Sequence, residues 1–418
     1  NGSTHTVANL GIVTESTSTA AVGTISISAQ PHWVYEGAAG SAQVTLSGSH
    51  TGPTDTIEYR IETTAGTPIT SWATLQADVA EGPFSAAVTG PRGGWYFARV
   101  RKASATGTEA VQTQRWGVGV ILGGMGQSQI VYWNALGPAL ASIDDRAVTH
   151  NGTSWSQMSA TQRGRAAFAN ALVALLDCPV ATIVHGYSGS RMEQWYDATT
   201  GKKTYYNEWE AKVTAAGGKL SAFLWWQCEG DVNIHRTKAA YLEDLTALFA
   251  QLRTTYGSTL PIVFPHLGTG TEPTLDDEDF ERIRNAQVDA SDDSARNYGL
   301  STIGFARVDS IHFDYTSYEL IGIRIAQCVA HAFGGASYAR NPRISGATRV
   351  GSVIDVRIVH DGGTDIAPAT GITGFSVLDS GAPAPISSAV RLNANTVRLT
   401  LSSTPAGPVT MRYGYGKT

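Results

Sequence analysis

Residues 116–131 read Trp-Gly-Val-Gly-Val-Ile-Leu-Gly-Gly-Met-Gly-Gln-Ser-Gln-Ile-Val. The apolar run Val118, Val120, Ile121, Leu122 has the character of a buried strand, and the glycine-rich segment after it places Ser128 at its end. A small-residue turn there lifts a hydroxyl clear of the carboxyl edge of a sheet, where open α/β sheets bind ligands. Nucleophile elbows use this strand-to-turn-to-helix geometry, with the serine exposed and its own N–H facing the reacting carbonyl. Taken alone, a glycine-rich turn after a strand is a weak signal. Its weight depends on what the flanking segments supply.

From about 117 to 338, strands alternate with helices. Strands are expected at 117–123, 180–186, 220–227, 260–266 and 301–308. Helical periodicity falls at about 159–177, 205–216, 234–256, 276–297 and 316–333. Alternation of this length specifies a parallel sheet with helices on both faces. Residues 1–116 read as β: Ile57, Tyr59 and Ile61 alternate with Glu58, Arg60 and Glu62, and Trp95 to Val100 alternate similarly after Gly90-Pro91-Arg92-Gly93-Gly94. Short strands punctuated by Gly, Pro and Ser suggest an immunoglobulin-like sandwich. The Ser/Thr-rich first 20 residues read as a tether or a contact segment. Residues 339–418 return to period two at Ile354, Val356, Ile358 and at Val397, Leu399, Leu401, which fits a second, smaller β-sandwich.

Length and composition bound the function. A chain of 418 residues should hold two or three domains, and 42% hydrophobic with 16% charged residues describes a globular protein. A net charge of −5 argues against nucleic acid or an anionic membrane as main partner. No run approaches the ~18 apolar residues of a membrane span, and no signal peptide is read. The three cysteines, Cys178, Cys228 and Cys328, are far apart without a CxxC spacing, so neither a zinc site nor a disulfide framework is indicated.

Acyl transfer needs a nucleophile, a base, a group orienting the base, and donors for the developing oxyanion. In a parallel sheet these belong on loops after strands. Ser128 follows the first strand. After the second comes His185-Gly-Tyr-Ser-Gly-Ser-Arg-Met-Glu-Gln-Trp195, where Gly189 offers an unhindered N–H. Taken alone, that segment is more simply an ordinary turn. Gln227, at the end of the third strand, could aim an amide N–H at the oxyanion, or could make a structural hydrogen bond. Asp309-Ser-Ile-His312 precedes the last helix. A carboxylate three residues before a histidine can hold Nδ1–H and leave Nε2 free as base. His266 also ends a strand but lacks a carboxylate orienter, and ranks well below His312. The acidic run Asp276-Asp277-Glu278-Asp279 reads as a solvated helix start.

These segments resemble the SGNH hydrolase superfamily, and most closely the sialate O-acetylesterase-like carbohydrate esterases. The matching residues are Gly126-Gln127-Ser128, then Ser188-Gly189-Ser190 with Trp195, then Trp225-Trp226-Gln227-Cys228-Glu229, then Asp309 to His312. Three departures stand out: Gln129 where the family often has Asn, and Ser188 and Cys228 in place of glycines. Cys228 is expected to narrow the pocket beside Gln227. The likeness covers about half the chain. It implies a flavodoxin-like, doubly wound α/β core at 117–338, flanked by β-sandwich domains at 1–116 and 339–418. It implies removal of acetyl groups from a glycan or polysaccharide, with Ser128, His312 and Asp309 as triad and Ser128, Gly189 and Gln227 as oxyanion hole. No cofactor or metal is implied. Gln127, Tyr187, Trp226, Glu229 and His235 are the candidate substrate contacts, although bracing is the simpler role for Glu229. Core packing is the simpler one for Trp195 and Trp225. The domain layout suggests an extracellular, cell-surface or virion-surface protein, and the β domains could build a homo-oligomer. Two other classes stay open, a glycan-binding module with a degenerate core and a short-chain lipase or thioesterase.

Overall fold

The computed structural model describes residues 22–271, 275–336, 342–360 and 363–416. The Ser/Thr-rich start and the expected boundary at 338–339 lie outside the described residues. The chain divides into two compact units. One takes in Val44–Val88, Tyr96–Gln114 and the described part of Asn1–Gln30; the other takes in Pro31–Gln43, Thr89–Trp95 and Arg115–Thr418.

In the first unit, Asp55–Thr63 pairs antiparallel with Ala73–Val79 and with residues 96–102, the latter in register from Ile57 opposite Lys102 to Thr63 opposite Tyr96. Ile57, Val79, Phe84 and Val100 form its buried core. Of the alternating residues at 95–100, Ala98 and Val100 are those wholly buried.

The second unit is a mixed α/β structure. Its parallel strands are β1 (Trp116–Gly126), β2 (Ala147–His150), β3 (Val180–Gly186), β4 (Ala222–Trp226), β5 (Ile262–Pro265) and β6 (Asn297–Leu300), in the spatial order β2-β3-β1-β4-β5-β6. Its helices are α1 (Ser128–Trp133), α2 (Arg163–Leu176), α3 (Thr204–Ala215), α4 (Glu229–Val232), α5 (Lys238–Tyr256), α6 (Asp277–Asp292) and α7 (Tyr315–Ala332). Successive strand residues face opposite layers. Ile121, Met125, Phe223 and Trp225 pack against α3, α5 and α6, while Val120, Leu122, Leu224 and Trp226 pack against α1, α2 and α7. Both faces of the sheet are therefore dry, which is why its strands read as continuous apolar runs.

Two elements differ from the sequence expectation. The last parallel strand is β6 at Asn297–Leu300, and 301–308 is a loop in which Val308 is largely exposed. The strand is four residues long and contains Asn and Gly, both poor strand formers. Its Asn297 is buried because Oδ1 accepts from Arg253 Nη2 at 2.6 Å and Nδ2 donates to the Ala290 carbonyl at 2.6 Å. The edge strand β2 was not expected either; it pairs parallel with β3 and is capped by antiparallel Trp155–Gln157.

The chain runs from β1 to β2 and β3 on one side, then crosses to β4 on the other. The topology thus reverses at the carboxyl end of β1, which is where open α/β sheets place ligands. At that end Gly126 is in register with Gly186 of β3 and Trp226 of β4. A Cβ at Gly126 would come within 2.1 Å of the Trp226 carbonyl oxygen, so only glycine fits this rung. Beyond α7, Arg343–Val350, Val353–Val359, Thr396–Leu401 and Ile386–Asn393 form one antiparallel sheet, and Ala382–Pro383, Phe375–Asp379 and Val409–Tyr413 form another. Ile354, Val356, Val377, Val397 and Leu399 form one core shared by both sheets. Buried Arg284 of α6 donates to the carbonyls of Leu267, Gly268, Gly414 and Gly416, tying the last described strand region to the α/β layer.

Candidate active site

Ser128 is the first residue of α1, two positions past Gly126, and is almost fully buried. A residue at a helix start has an N–H with no intrahelical acceptor. Among the described residues neither that N–H nor the Ser128 hydroxyl has a hydrogen-bond partner. The loop after β3 begins with Tyr187, whose N–H donates to the Gly126 carbonyl at 3.0 Å, and reaches Gly189 two residues on. Gly189 sits at φ +73°, a region that favours glycine, and its N–H is also unpartnered among the described residues.

The base comes from the loop before α7. Asp309 Oδ1 accepts the N–H groups of Ile311 at 2.9 Å and His312 at 2.7 Å, while Oδ2 lies 2.8 Å from His312 Nδ1. An ionised carboxylate only accepts, so Nδ1 carries the hydrogen and Nε2 is left as the acceptor. His312 Nε2 is buried and has no partner among the described residues. Burial pushes the Asp309 carboxyl up, but the two N–H groups and the imidazole outweigh it and hold the carboxyl below the usual range.

Two contacts bring this loop to α1. Tyr132 stacks on the His312 ring at 4.2 Å and 17°. Tyr132 is four residues after Ser128, so the two share a helix face one turn apart. Gln129 Nε2 donates to the Ile311 carbonyl at 2.9 Å and to Glu229 Oε1 at 2.7 Å, and its Oε1 accepts from Tyr318 OH at 2.6 Å. The histidine loop, α7 and the loop after β4 therefore converge on the residue beside Ser128. Ser128 and His312 flank this junction without a hydrogen bond between them, and such bonds often tighten only with substrate.

The remaining motif residues brace the site. Gln227 is wholly buried, and its Nε2 donates to Asp231 Oδ2 at 2.6 Å, Ser190 O at 3.1 Å and Gln127 Oε1 at 3.2 Å. All three are acceptors, so the amide cannot be flipped, and its two hydrogens are committed internally. This corrects the expectation that Gln227 serves the oxyanion. Gln127 Oε1 also accepts from the N–H groups of Cys228 at 3.3 Å and Gly230 at 2.9 Å, which locks the loop after β4. Among the described residues, Gln127 Nε2 is the side-chain donor left open beside Ser128. Asp231 is buried and also accepts the Met192 N–H at 2.8 Å and Arg236 Nη1 at 2.9 Å.

Other candidates take packing or bracing roles. Trp226 is 1% exposed and packs against Phe313 and Tyr318 in the core, so it is no sugar platform. Trp195 and Trp225 are buried in the opposite layer. Glu229 is buried; burial pushes its carboxyl up, while Gln129 and the nearby His312 oppose the shift. Its place is that of a brace rather than a substrate contact. Cys228 is wholly buried and donates its thiol to Glu229, so it does not narrow a pocket. His235 is largely exposed and bonds to Asp279 at 2.8 Å; no contact among the described residues joins it to Ser128 or His312. Asp279 is thereby buried rather than solvated, and Asp276 caps α6 by accepting the Asp279 N–H at 2.8 Å. His266 lies 3.0 Å from Ser291 Oγ, and burial, with Arg284 adding to it, pushes its pKa down to about 3. It is half-buried, stays neutral near pH 7 and has Nε2 beside Ser291 Oγ, with no carboxylate among the described residues to orient it. The motif left out of the sequence reading is Gln129 with Tyr318; the departure from Asn at position 129 was its only signal. Among the described residues no group of three or more His, Cys, Asp or Glu side chains is arranged to hold a metal, and no helix is long and apolar enough to cross a membrane.

Residues 112–331 match the family model described as carbohydrate esterase, sialic acid-specific acetylesterase. The chain belongs to this family of carbohydrate esterases. It is a carboxylic ester hydrolase, and its family points to an acetylated carbohydrate as substrate. The fold of the esterase is similar to that of a carbohydrate acetylesterase from Xanthomonas citri, at 19% identity over 93% of each chain with a TM-score of 0.63. A protein from Arabidopsis thaliana matches at 18% identity over 51% of this chain and 98% of its own, with a TM-score of 0.44. A family two carbohydrate esterase from Clostridium thermocellum matches at 12% identity over 71% of this chain and 90% of its own, with a TM-score of 0.36. No curated protein matches the chain.

Proposed function

We propose that the esterase removes O-acetyl groups from a glycan or polysaccharide through a Ser-His-Asp acyl-enzyme mechanism. One observation carries this reading. An imidazole with Nδ1 held by a carboxylate and Nε2 buried and unpartnered is stacked on the helix that begins with Ser128. Ser128 Oγ attacks the acetyl carbonyl as its proton passes to His312 Nε2. The Ser128 and Gly189 N–H groups bind the oxyanion, with Gln127 Nε2 the available side-chain donor. Collapse expels the sugar oxygen, which takes the proton from His312, and leaves acetyl-Ser128. Water then gives its proton to His312 and attacks the acyl group, and acetate leaves as Oγ recovers the proton. Asp309 keeps the tautomer and stabilises the imidazolium.

On this reading the core is a flavodoxin-like SGNH hydrolase core, and the β regions at both ends are sandwich-type accessory domains. A polymeric substrate would be met outside the cell or on a virion surface. Release of p-nitrophenol from the acetate and octanoate esters tests the reading: fast turnover of acetate and little of octanoate is expected. Preference for octanoate would make it a lipase, and no turnover of either ester would make the core degenerate.

A further inference from the structure

Tyr187, a candidate substrate contact from the sequence, and Tyr205 have no side-chain part in the catalytic machinery above. Their rings stack at 4.2 Å and 18°. Tyr205 leans on Trp195 at 5.2 Å, and buried Trp195 is fixed by Nε1 donating to Ser190 Oγ at 2.8 Å and by an edge contact on Trp225. The pair is thus backed by a rigid aromatic column, yet Tyr187 remains 50% exposed. It stands on the loop that carries Gly189, with its N–H bonded to the end of β1. Beside Tyr205 opens a shallow cleft of about 570 Å³, lined by Glu193, Gln194, Asp197, Lys203, Thr204 and Tyr205. That volume falls within the ~300–1,000 Å³ of small-molecule clefts.

We propose that the Tyr187–Tyr205 pair and this cleft form a subsite for a neutral pyranose ring adjacent to the acetylated sugar. This rests on the acetylesterase reading and extends it to a chain-like substrate. A pyranose has an apolar C–H face, which suits a ring with a polar tip, and hydroxyl edges, which suit a rim of carboxylates and amides. The charges of the rim are already occupied. Glu193 pairs with Arg191 at 3.2 Å, Asp197 Oδ1 accepts from Thr199 and Thr200, and Lys203 donates to Thr200. With Glu193 paired to Arg191 and Asp197 beside Lys203, the rim has no net charge to attract an anionic sugar and suits a neutral one.

Steady-state kinetics of the full chain on O-acetylated xylotetraose and on p-nitrophenyl acetate test this. Tyr187→Ala and Tyr205→Ala are each expected to lower kcat/KM for the tetrasaccharide about tenfold, the loss of one apolar ring face. Turnover of p-nitrophenyl acetate should stay within about twofold, and Tyr187→Trp should restore the tetrasaccharide rate. Equal losses on both substrates, or no loss on the tetrasaccharide, overturn the subsite. A wild-type chain that cleaves neither substrate overturns the underlying esterase reading instead, and the subsite with it.

Discussion

The polar groups around Ser128 fall into two regions that differ in how they use their hydrogen bonds. On the β4 side, Gln127 Oε1, Gln227 Nε2 and Asp231 satisfy one another and the adjoining backbone, and Gln227 Oε1 is the atom of this cluster left without a partner among the described residues. On the open side, the Ser128 hydroxyl, His312 Nε2 and the Gly189 N–H have no partner among the described residues. Buried polar groups are normally paired, and a hydroxyl, an imidazole nitrogen and an N–H left open together at a sheet switch point support the proposal that a reacting group is received there. The conspicuous motif residues are therefore not all chemical ones. Gln227, Glu229 and Trp226 build the wall on which the others stand.

The largest effect belongs to the open side. Ser128→Ala should lower kcat on p-nitrophenyl acetate by about 10⁴ or more, as loss of a catalytic triad member does. Because it deletes an unpartnered hydroxyl, thermal unfolding should move by less than about 2 °C. A large loss of melting temperature would place Ser128 in the braced wall.

The braced side should respond in the opposite way. Gln227→Ala leaves the buried Asp231 carboxylate, the Ser190 carbonyl and Gln127 Oε1 without their shared donor, and should cost about 2–4 kcal/mol of stability. In differential scanning calorimetry that is a drop of roughly 5–10 °C. An oxyanion donor would instead show a ~10²–10³-fold loss of kcat with melting unchanged. The result decides to which region Gln227 belongs.

Gln129 joins the two regions. Gln129→Leu frees the Ile311 carbonyl and the histidine loop, and a displaced base can cost ~10²-fold. A fall in kcat of about 10–100-fold with KM little changed is expected from steady-state rates. An unchanged kcat with a lower melting temperature would leave Gln129 a brace alone.

Much of this was readable from sequence, for physical reasons. A sheet covered on both faces needs continuous apolar strands, so 117–123 and 180–186 announced themselves, and Asp-x-x-His is a local geometry that spacing alone encodes. Asn297-Tyr-Gly-Leu300 was not readable as a strand, because buried Asn297 is satisfied by Arg253, 44 residues away. The roles of Gln227 and Trp226 were hidden for a similar reason. Which way an amide points, and which layer an indole enters, depends on Ser190 and Tyr318 arriving from elsewhere in the fold. Gln129 gave almost no signal, since its partners lie 100, 182 and 189 residues distant.

The smallest effect concerns pH. His266 is held neutral down to about 3, so between that value and its ordinary 6.5 the unfolded chain binds more protons than the folded one. Its contribution is complete above ~6.5 and falls as pH drops through that window, by on the order of 2 kcal/mol between pH 7 and 5. Urea midpoints for wild type and His266→Gln should show the slope in wild type and a flatter profile in the variant. Equal slopes would show that the histidine does not titrate on unfolding.

The central claim is that the unpaired hydroxyl of Ser128 is the nucleophile activated by His312. Peptide mass spectrometry after treatment with diethyl p-nitrophenyl phosphate tests it most directly. One diethylphosphoryl group on Ser128, formed in step with loss of esterase activity and strongly slowed in His312→Ala, is predicted. Complete inactivation with Ser128 unmodified, or an adduct on another residue, would contradict it.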